Sequence, residues 1–435
     1  MRERSERSRS QQKGQHLDNV VITGMGIVSS LGFDADQFFA RMLSGEIAIG
    51  SAPWASEAGE VWWSGVRGFE PGRWMSPVVE AGTDLYAQFT IAAAEQGVRR
   101  SGLRLDPLRT AIVHGTTLGG VRALMRAQYE LDRHGPSAID RKTLIKISPN
   151  MPAAQLAMRW GLHGPQLTVS TTCASALDAI GTAARLIADG RADAAITGGT
   201  EGGWAGTDGS AEGEFAPAVF HSQIRYGMTA PGADRSVASV PFDRRRTGVV
   251  TGEGSAMFVL EREQTARARG AVILAEIIGY ASLSDAHHPS SPEPTGRWEA
   301  EVMNQALADA GIRAQDVDAL IAHATSTPKG DLAEIRAIND THSRNRPRPL
   351  PVMSLKGHIG HSGAAAGAMS LLAAVFTLNG GVLPHTAGTR DIEPEADFAV
   401  AVDHPSSIDA RTIQLNAFGF GGQNASLVVR RSPER

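Results

Sequence analysis

Residues 166–190 (QLTVSTTCASALDAIGTAARLIADG) constrain the fold most, because a strand pattern runs there directly into a helix pattern. β-branched residues are frequent from Gln166 to Thr171, as is typical of a strand. After a turn at residues 172–175, apolar residues follow at helical spacing until Gly190, a residue that often terminates helices. A strand followed at once by a helix is the repeating unit of sheets that helices cover. The pattern therefore predicts an α/β protein.

Strand and helix patterns alternate along the rest of the chain, which favours buried sheets with helices on both faces. Predicted strands cover 19–29, 110–114, 192–198, 253–260, 271–279, 319–324, 351–355, 412–417 and 425–429, and predicted helices cover 87–100, 299–311 and the apolar run 364–378. The apolar run is shorter than the ~20 residues that span a bilayer, so we expect a buried helix.

Two pairs of segments resemble each other across the chain, which indicates an internal duplication. The pairs are AIVHGTTLGG (111–120) with LIAHATSTPKG (320–330), and GEGSAMFVLER (252–262) with GGQNASLVVRR (421–431). Each half would then close with a similar strand. We therefore predict two related halves, 19–275 with the only cysteine and 276–431 with most of the candidate histidines.

Composition excludes several classes of protein. Of 435 residues, 42% are hydrophobic and 20% are charged, which is typical of a globular protein. The formal net charge of −4 provides no basic footprint for nucleic acid or an anionic membrane. A single cysteine excludes a disulfide framework and favours the reducing cytoplasm. Residues 1–18 are polar and lack an apolar segment, so we expect a disordered tail there and no secretory signal.

The single cysteine, Cys173, occupies the turn between the strand and the helix of the 166–190 stretch. The positive end of the helix dipole and free backbone N–H groups favour a thiolate at such a position. The alternative is a buried cysteine that acts only as a small hydrophobic residue. Catalysis by Cys173 requires partners from elsewhere in the chain.

Three distant motifs offer such partners. His323 ends a predicted strand, at the kind of sheet edge where the active sites of α/β proteins gather. Lys356 and His361 lie in SLKGHIGHSGAAAG, just before the apolar helix. The glycines of AFGFGGQN (417–424) allow backbone N–H groups to approach a ligand closely. Each motif alone is also compatible with a structural or solvated role.

A metal site built from His323, His358 and His361 is a competing interpretation. The thiol of Cys173 could add a ligand, but no cluster of carboxylates completes the set in the sequence. The neighbouring Lys356 would also repel a cation. We therefore expect no metal.

In combination, these motifs make the chain resemble the β-ketoacyl-acyl carrier protein synthases of the thiolase superfamily, in particular the elongating enzymes with a Cys-His-His set. The similarity rests on NMPAAQLAMRWGLHGPQLTVSTTCASALDAIG, HATSTPKGD, LKGHIGHSGAAAG and NAFGFGGQNASLVV, and it extends from about Asn19 to Arg430. The resemblance implies a thiolase-like fold, in which two related halves form a five-layer αβαβα sandwich. It also implies a dimer and a buried site where the halves meet.

The resemblance further implies a role for each candidate residue. Cys173 would take the acyl group from a thioester, and the N–H groups of Cys173 and Phe420 would hold the oxyanion. His323 and His361 would stabilise the enolate that forms when a malonyl thioester loses carbon dioxide. The remaining implied roles are an electrostatic network for Lys356 with Glu334 as its ion-pair partner, pantetheine binding for Thr325 and Thr327, and an aromatic gate for Phe420.

The implied partner is an acyl carrier protein that delivers phosphopantetheine, so the resemblance implies no cofactor held by the enzyme itself. A homodimer is expected, and a heterodimer with a ketosynthase-like subunit is the alternative. Arg225 and Arg244–Arg246 are candidates for contacts with an acidic carrier protein.

The chain departs from the family pattern at several places. Ala324 replaces the glycine that usually follows the first catalytic histidine, so we expect an extra methyl group beside His323 and the pantetheine tunnel. His358 stands where a nonpolar residue is common. The region 202–239, which lines the acyl pocket in the family, is enlarged. Four of the seven tryptophans lie in 52–80, which we interpret as a flap packed by its own aromatic residues or as a lid.

Three functions are compatible with these observations. The first is a ketosynthase that elongates carrier-bound acyl chains in polyketide, specialised or fatty-acid-like biosynthesis. The second is a ketosynthase-like cyclase that closes a carrier-bound chain by an aldol, lactone or β-lactone reaction, suggested by Ala324 and 202–239. The third, a non-catalytic partner subunit similar to chain-length factors, is disfavoured by the retained cysteine and histidines. A biosynthetic thiolase is disfavoured because its chemistry uses two cysteines.

Overall fold

The computed structural model describes residues 20–53, 59–204, 217–229, 231–232, 234–344 and 346–433. The predicted tail at 1–18 lies outside these residues. Within them, one continuous sheet contains strands from both predicted halves. Its strands, numbered in chain order, are β1 Val20–Ser29, β2 Thr110–Gly115, β3 Gln166–Val169, β4 Ala194–Glu201, β5 Gly254–Arg262, β6 Ala275–Ser284, β7 Ala319–Ile321, β8 Pro351–Met353, β9 Ala399–Val400, β10 Thr412–Gly419 and β11 Gln423–Arg430.

The order of strands across the sheet is β9-β8-β7-β10-β11-β6-β1-β5-β4-β2-β3. The series β1-β5-β4-β2-β3 and the series β6-β11-β10-β7-β8 have the same pattern, two antiparallel pairs followed by two parallel pairs. The first strands of the two series, β1 and β6, join them as an antiparallel pair. The similar sequence segments fall on topologically equivalent strands, at the ends of β2 and β7 and along β5 and β11.

Helices cover both faces of this sheet. In the described part of the chain they are α1 Ala35–Leu43, α2 Pro77–Gly82, α3 Leu85–Ser101, α4 Val121–His134, α5 Thr143–Ile147, α6 Met151–Trp160, α7 Ser175–Ala188, α8 Pro217–Arg225, α9 Glu263–Ala268, α10 Arg297–Ala310, α11 Pro328–Ile338, α12 Lys356–Ile359 and α13 Ala366–Gly380. Short strands form two small additional sheets from Gly50–Ser51, Trp62–Ser64 and Thr251–Gly252, and from Val382–Leu383 and Ser406–Ser407.

The layers follow from three hydrophobic clusters. The largest cluster packs α7 and α13 between the two series of strands. A second cluster packs α10 and α11 on the outer face of the β6 series, and a third packs α3 and α6 on the outer face of the β1 series. The β1 series and the β6 series therefore form two sheet layers, with one layer of helices between them and one on each outer face. This is the five-layer αβαβα arrangement that the resemblance implied.

The middle layer contains the apolar helix that the sequence predicts. The segment Gly363–Gly380 is long and apolar enough to cross a membrane by composition alone, with a mean hydropathy of 1.4. Of these residues, 78% are buried inside the protein, against the strands and α7. Because its apolar surface is already covered by protein, we interpret it as a core helix.

The tryptophan-rich stretch packs against the region that follows β4. The ring of Phe220 in α8 packs edge to face against the rings of Trp63 and Trp204. The distances between ring centroids are 6.5 Å to Trp63 and 6.4 Å to Trp204. Trp63 is only 1% exposed. Trp63 therefore links the described part of 52–80 to Trp204 and Phe220 of the 202–239 region, a long-range contact that the composition of either segment does not indicate. Residues 54–58 and 205–216 of these two segments lie outside the described residues.

Candidate active site

One cavity of about 370 Å³ lies beside the carboxyl end of β7 and the turn between β10 and β11. Six of the residues singled out in the sequence line it, namely Cys173, His323, Thr325, Thr327, His361 and Phe420. The cavity therefore combines residues from both halves of the chain, and the remaining candidates, Lys356 and Glu334, are buried outside its described lining.

The nucleophile candidate lies in a single tight turn. Cys173 belongs to the 3-10 turn Thr172–Ala174 between β3 and α7. Thr172 has a φ of +51°, a left-handed conformation that non-glycine residues rarely adopt. Across from it, a Cβ atom on Gly419 would lie 2.2 Å from Thr172 Oγ1. A glycine is therefore required where the β10–β11 turn approaches the cysteine.

Both candidate histidines reach this turn. His361 Nε2 lies 2.9 Å from Cys173 Sγ, within hydrogen-bond distance. The rings of His323 and His361 meet edge to face, with centroids 5.3 Å apart. One ligand-type atom from each of the three side chains lies within 4.8 Å of the others. The structure thus brings together three residues that are far apart in the chain.

Backbone N–H groups form a second feature of the site. The N–H groups of Phe420 and of Cys173 both act on the sulfur atom and lower the pKa of its thiol. Thr172 Oγ1 fixes the neighbouring backbone by donating to the carbonyl oxygen of Phe420 at 3.1 Å. Two such donors beside a nucleophile are the usual components of an oxyanion hole.

The structure contradicts the expectation of a resting thiolate. Burial raises the pKa of the Cys173 thiol to about 11, so the thiol is protonated at neutral pH. Lys356 and the nearby N–H groups act in the opposite direction but do not outweigh the loss of hydration. A partial helix-end charge is a smaller effect than the removal of a charge from water. The thiol must therefore transfer its proton to a base as it reacts, and His361 is in contact with it.

Both histidines are suited to such proton transfer because they are neutral. Burial lowers the pKa of His361 to about 3, and it lowers the pKa of His323 well below its ordinary value. The positive charge of Lys356 acts in the same direction on both rings. A neutral imidazole offers one nitrogen that accepts a proton and one N–H that donates a hydrogen bond.

The ion pair implied for Lys356 and Glu334 is not a direct contact. Among the described residues, no carboxylate oxygen lies within the 4.0 Å of Lys356 Nζ that defines an ion pair. Glu334 instead accepts hydrogen bonds from the backbone N–H groups of His323 at 2.9 Å and Ala324 at 2.6 Å, and from Asn416 Nδ2 at 3.2 Å. Glu334 therefore holds the His323 loop in place and acts on Lys356 only at longer range.

Glu334 should accordingly be important for stability. Replacing Glu334 by alanine is expected to lower the free energy of unfolding by roughly 3 kcal/mol, because three buried donors lose their acceptor. Glu334→Gln keeps one acceptor oxygen and should lose less. Urea unfolding of both variants and the wild type measures the difference, and equal stability of all three would contradict this role.

Lys356 is a buried charge without an ion-pair partner among the described residues. It is 3% exposed, and burial lowers its pKa to about 8. Because its charge lowers the pKa of the Cys173 thiol, Lys356→Met is expected to slow alkylation of Cys173 by iodoacetamide about tenfold at neutral pH. Lys356→Arg retains the charge and is the matched control. Intact-protein mass spectrometry gives the rates, and equal rates for the methionine variant and the wild type would show that the charge does not reach the thiol.

Two further features line the cavity besides Cys173, His323 and His361. The hydroxyl oxygens of Thr325 and Thr327 lie 3.1 Å apart and both side chains line the cavity. Phe420 lies on the β10–β11 turn and is 37% exposed, a large apolar side chain at the edge of the site. Pantetheine binding and gating remain predictions for these residues.

Two departures from the family pattern lie away from the cavity. Ala324 is buried in the core cluster of α10 and α11 and is absent from the described lining, so its methyl group does not narrow the cavity as expected. His358 is fully buried, with Nδ1 2.8 Å from the carbonyl oxygen of Glu46 and Nε2 2.8 Å from that of His385. Both ring nitrogens of His358 are therefore occupied by backbone, and it is not a candidate metal ligand.

The remaining trio could in principle hold a metal ion, since zinc binds thiolate and imidazole ligands. Cys173, His323 and His361 form the only such group found in the described part of the chain, and no carboxylate joins it. The buried charge of Lys356, which acts on all three side chains, opposes a cation. The expectation of no metal stays a prediction.

Phe418 is a further residue of the site that the sequence motifs did not single out. Its ring lies 5.8 Å from that of His323 and also lines the cavity, so it restricts the position of the imidazole. The signal in the sequence was its place in the motif AFGFGGQN, two residues before Phe420.

Comparisons with known proteins agree with this arrangement. Residues 17–266 match the family model described as "Beta-ketoacyl synthase, N-terminal domain", and residues 274–390 match "Beta-ketoacyl synthase, C-terminal domain". The "3-oxoacyl-[acyl-carrier-protein] synthase 2" of Vibrio harveyi is 32% identical over 95% of this chain and 99% of its own length. The enzyme of the same name from Staphylococcus aureus is also 32% identical, over 95% and 98%.

Solved structures show the same similarity. A beta-ketoacyl synthase from Burkholderia phymatum superimposes with a TM-score of 0.85 at 29% identity, covering 95% of this chain and all of the other. The ishigamide ketosynthase/chain length factor gives the same TM-score and identity over 95% and 99%. A type II PKS ketosynthase in complex with its acyl-carrier protein gives 0.84 at 25% identity, again over 95% and 99%.

These matches cover nearly the whole chain and agree with the topology of two similar strand series. The chain has the thiolase-like fold, and it is an acyltransferase of the ketosynthase type. The chain belongs to the beta-ketoacyl synthase family.

Proposed function

We propose that the protein joins an acyl chain to a malonyl-type unit by decarboxylative Claisen condensation, with both substrates delivered as carrier-protein thioesters. The observation that carries this proposal is the 2.9 Å contact of His361 Nε2 with Cys173 Sγ, beside a second neutral imidazole. The role fits polyketide or other specialised biosynthesis and fatty-acid-like biosynthesis alike.

In the first step Cys173 takes the acyl group. His361 Nε2 accepts the thiol proton as the sulfur atom attacks the thioester carbonyl carbon. The N–H groups of Cys173 and Phe420 stabilise the oxyanion that forms, an effect typically worth about 3 kcal/mol per donor. The oxyanion collapses, the carrier thiol leaves, and it takes the proton from His361. The products are an acyl thioester on Cys173 and a free carrier thiol.

In the second step the malonyl-type thioester loses carbon dioxide, and its thioester oxygen becomes an enolate oxygen. The N–H group of His323 donates to that oxygen, and so does His361 in the tautomer that carries its proton on Nε2, so no charged acid is needed. The enolate carbon attacks the acyl carbonyl on Cys173, and the same backbone N–H groups stabilise the second oxyanion. Its collapse releases the β-ketoacyl carrier thioester and the thiolate of Cys173, which takes a proton from solvent.

The carrier protein supplies the phosphopantetheine arm in this proposal, so the enzyme itself holds no cofactor. The paired hydroxyls of Thr325 and Thr327 are suited to bind the amides of that arm.

Arg225 is exposed next to the cavity-lining Tyr226, whereas Arg246 is buried and binds Glu393 at 2.9 Å. Arg225 therefore stays a candidate for carrier binding and Arg246 does not. We also propose that the protein acts in the cytoplasm.

The proposal is tested by incubating the protein with acyl and malonyl carrier proteins and weighing the carrier-bound products by mass spectrometry. A β-ketoacyl product longer than the starting chain is expected. A product of unchanged carbon count that has lost water or cyclised would support the cyclase instead, which now rests on the 202–239 region alone. A protein that forms no product but co-purifies with another ketosynthase would support the non-catalytic partner.

We propose further that the protein is a homodimer joined at β3. In the described part of the chain β3 pairs only with β2, so its other edge is open, and Leu167 on it is 44% exposed. Leu167→Asp is expected to convert a dimer into monomers, because two carboxylates would face each other across the symmetry axis. Val272→Asp, at a site outside β3 that is 74% exposed, is the control. Light scattering distinguishes the states, and a monomeric wild type would contradict the proposal.

A further inference from the structure

The catalytic cavity contains a buried carboxyl group that the proposed reaction does not use. Glu299 lies in the first turn of α10, is 3% exposed, and lines the cavity together with Cys173 and His323. In the described part of the chain, the buried Oε2 of Glu299 has no hydrogen-bond partner. A buried carboxyl group without a partner is rare, because each unmet hydrogen bond is costly.

A second unpartnered group lines the same cavity. Asn424, at the start of β11, is 2% exposed, and its Nδ2 lacks a hydrogen-bond partner among the described residues. An amide nitrogen is a donor only, so this position favours an acceptor atom and repels a cation. Glu299 and Asn424 therefore place two polar groups without partners among the described residues in the wall of one cavity.

The charge around Glu299 determines its hydrogen-bonding role. Burial raises the pKa of Glu299 well above its ordinary value, and the carboxylates of Glu334, Asp285, Asp331 and Glu293 raise it further. Both effects favour the neutral carboxyl group, which carries an O–H donor. Both unpartnered groups then offer a hydrogen to the cavity, and the complement of two such donors is an oxygen atom.

We propose that Glu299 and Asn424 form a polar recognition site for a keto or hydroxyl oxygen on the acyl chain that is loaded onto Cys173. The inference rests on the proposed function and specifies its substrate class. A saturated chain would leave both donors unmet, whereas an oxygenated chain accepts their hydrogen bonds. A site built to hydrogen-bond an oxygen disfavours the analogue that lacks it, and we expect a preference of about tenfold or more.

The test uses the loading step alone, which needs no malonyl unit. The intact protein is mixed with carrier-bound acyl chains of equal length that are saturated, or carry a keto or hydroxyl group on the β or δ carbon. Mass spectrometry follows acylation of Cys173. The variants are Glu299→Gln, which keeps an N–H donor, and Glu299→Leu, which removes it, with Glu301→Gln on the exposed face of α10 as the control.

The wild type and Glu299→Gln are expected to load an oxygenated chain about tenfold or more faster than the saturated one. Glu299→Leu should lose that preference while it remains folded, because a leucine removes an unmet buried polar group. Its thermal unfolding midpoint should therefore equal or exceed that of the wild type, which separates a loss of recognition from a loss of structure.

Three results would overturn the inference. Equal loading of saturated and oxygenated chains by the wild type would remove the recognition site but leave the proposed function intact. A preference for an amino-substituted chain that disappears in Glu299→Gln would show a carboxylate that binds a cation. Failure of every chain to acylate Cys173 would overturn this inference and the proposed function together.

Discussion

Replacing Cys173 by alanine is expected to abolish condensation, with a loss of at least about a thousandfold in product formation. No other cysteine exists in the chain, so no second thiol can take the acyl group. The variant should also show no mass increase when it is incubated with an acyl carrier thioester. Both results are read by mass spectrometry of the intact protein and of the carrier-bound products.

A matched variant separates loss of the nucleophile from loss of structure. Cys173 already lines the cavity, so removal of its sulfur atom only enlarges an existing space and should change the unfolding midpoint little. Cys173→Ser keeps the shape of the side chain but replaces the thiol with a weaker nucleophile, and it should also lose most activity. Undiminished product formation by Cys173→Ala would show that the reaction does not pass through this residue.

The sequence predicted the elements around Cys173 because their signals are local. The strand β3, the following turn and α7 each depend on residues within the stretch 166–190. The pairing of β2 with β7 as equivalents was also visible, because the duplication preserves AIVHGTTLGG and LIAHATSTPKG at both strand ends. Strand ends were predicted less accurately where hydrogen-bond partners decide them. The strand predicted at 319–324 ends at Ile321, because the N–H groups of residues 322–324 bond instead to β8 and to Glu334.

The charge state of the site could not be predicted from the sequence. A helix start beside Cys173 suggested a thiolate, but burial sets the pKa, and burial depends on residues brought in from both halves of the chain. For the same reason the pairing of Lys356 with Glu334 was wrong in its geometry. The carboxylate is occupied by the N–H groups of His323 and Ala324, a contact fixed by how α11 packs against β7.

Glu299 illustrates the same limit at a different place. An acidic residue in the first turn of a predicted helix usually faces solvent and complements the helix dipole. Only the packing of α10 against the β6 series shows that this one is buried and lines the cavity. Its significance is therefore a property of the tertiary structure and carries no signal in the sequence.

Substitutions of the two histidines are expected to affect different steps of the reaction, the loading of Cys173 and the condensation. His361→Ala should slow the loading of Cys173 by about a hundredfold or more, because His361 Nε2 contacts the thiol and is the proposed base. His323→Ala should leave loading within about threefold of the wild type but reduce condensation by about a hundredfold or more, because its proposed contact is with the enolate oxygen. Single-turnover mass spectrometry measures acyl-enzyme formation and product release on the same samples.

The two imidazole rings support each other's positions, so the alanine variants need a control that fills the lost volume. The rings touch edge to face, so either substitution could displace the other imidazole. His323→Gln and His361→Gln fill most of the lost volume and retain a side-chain N–H donor, and His323→Gln should therefore recover part of the lost condensation. His361→Gln cannot recover loading, because an amide nitrogen does not accept a proton at neutral pH. Equal defects in loading for both alanine variants would show that the histidines act as one unit and that the thiol proton has no single acceptor.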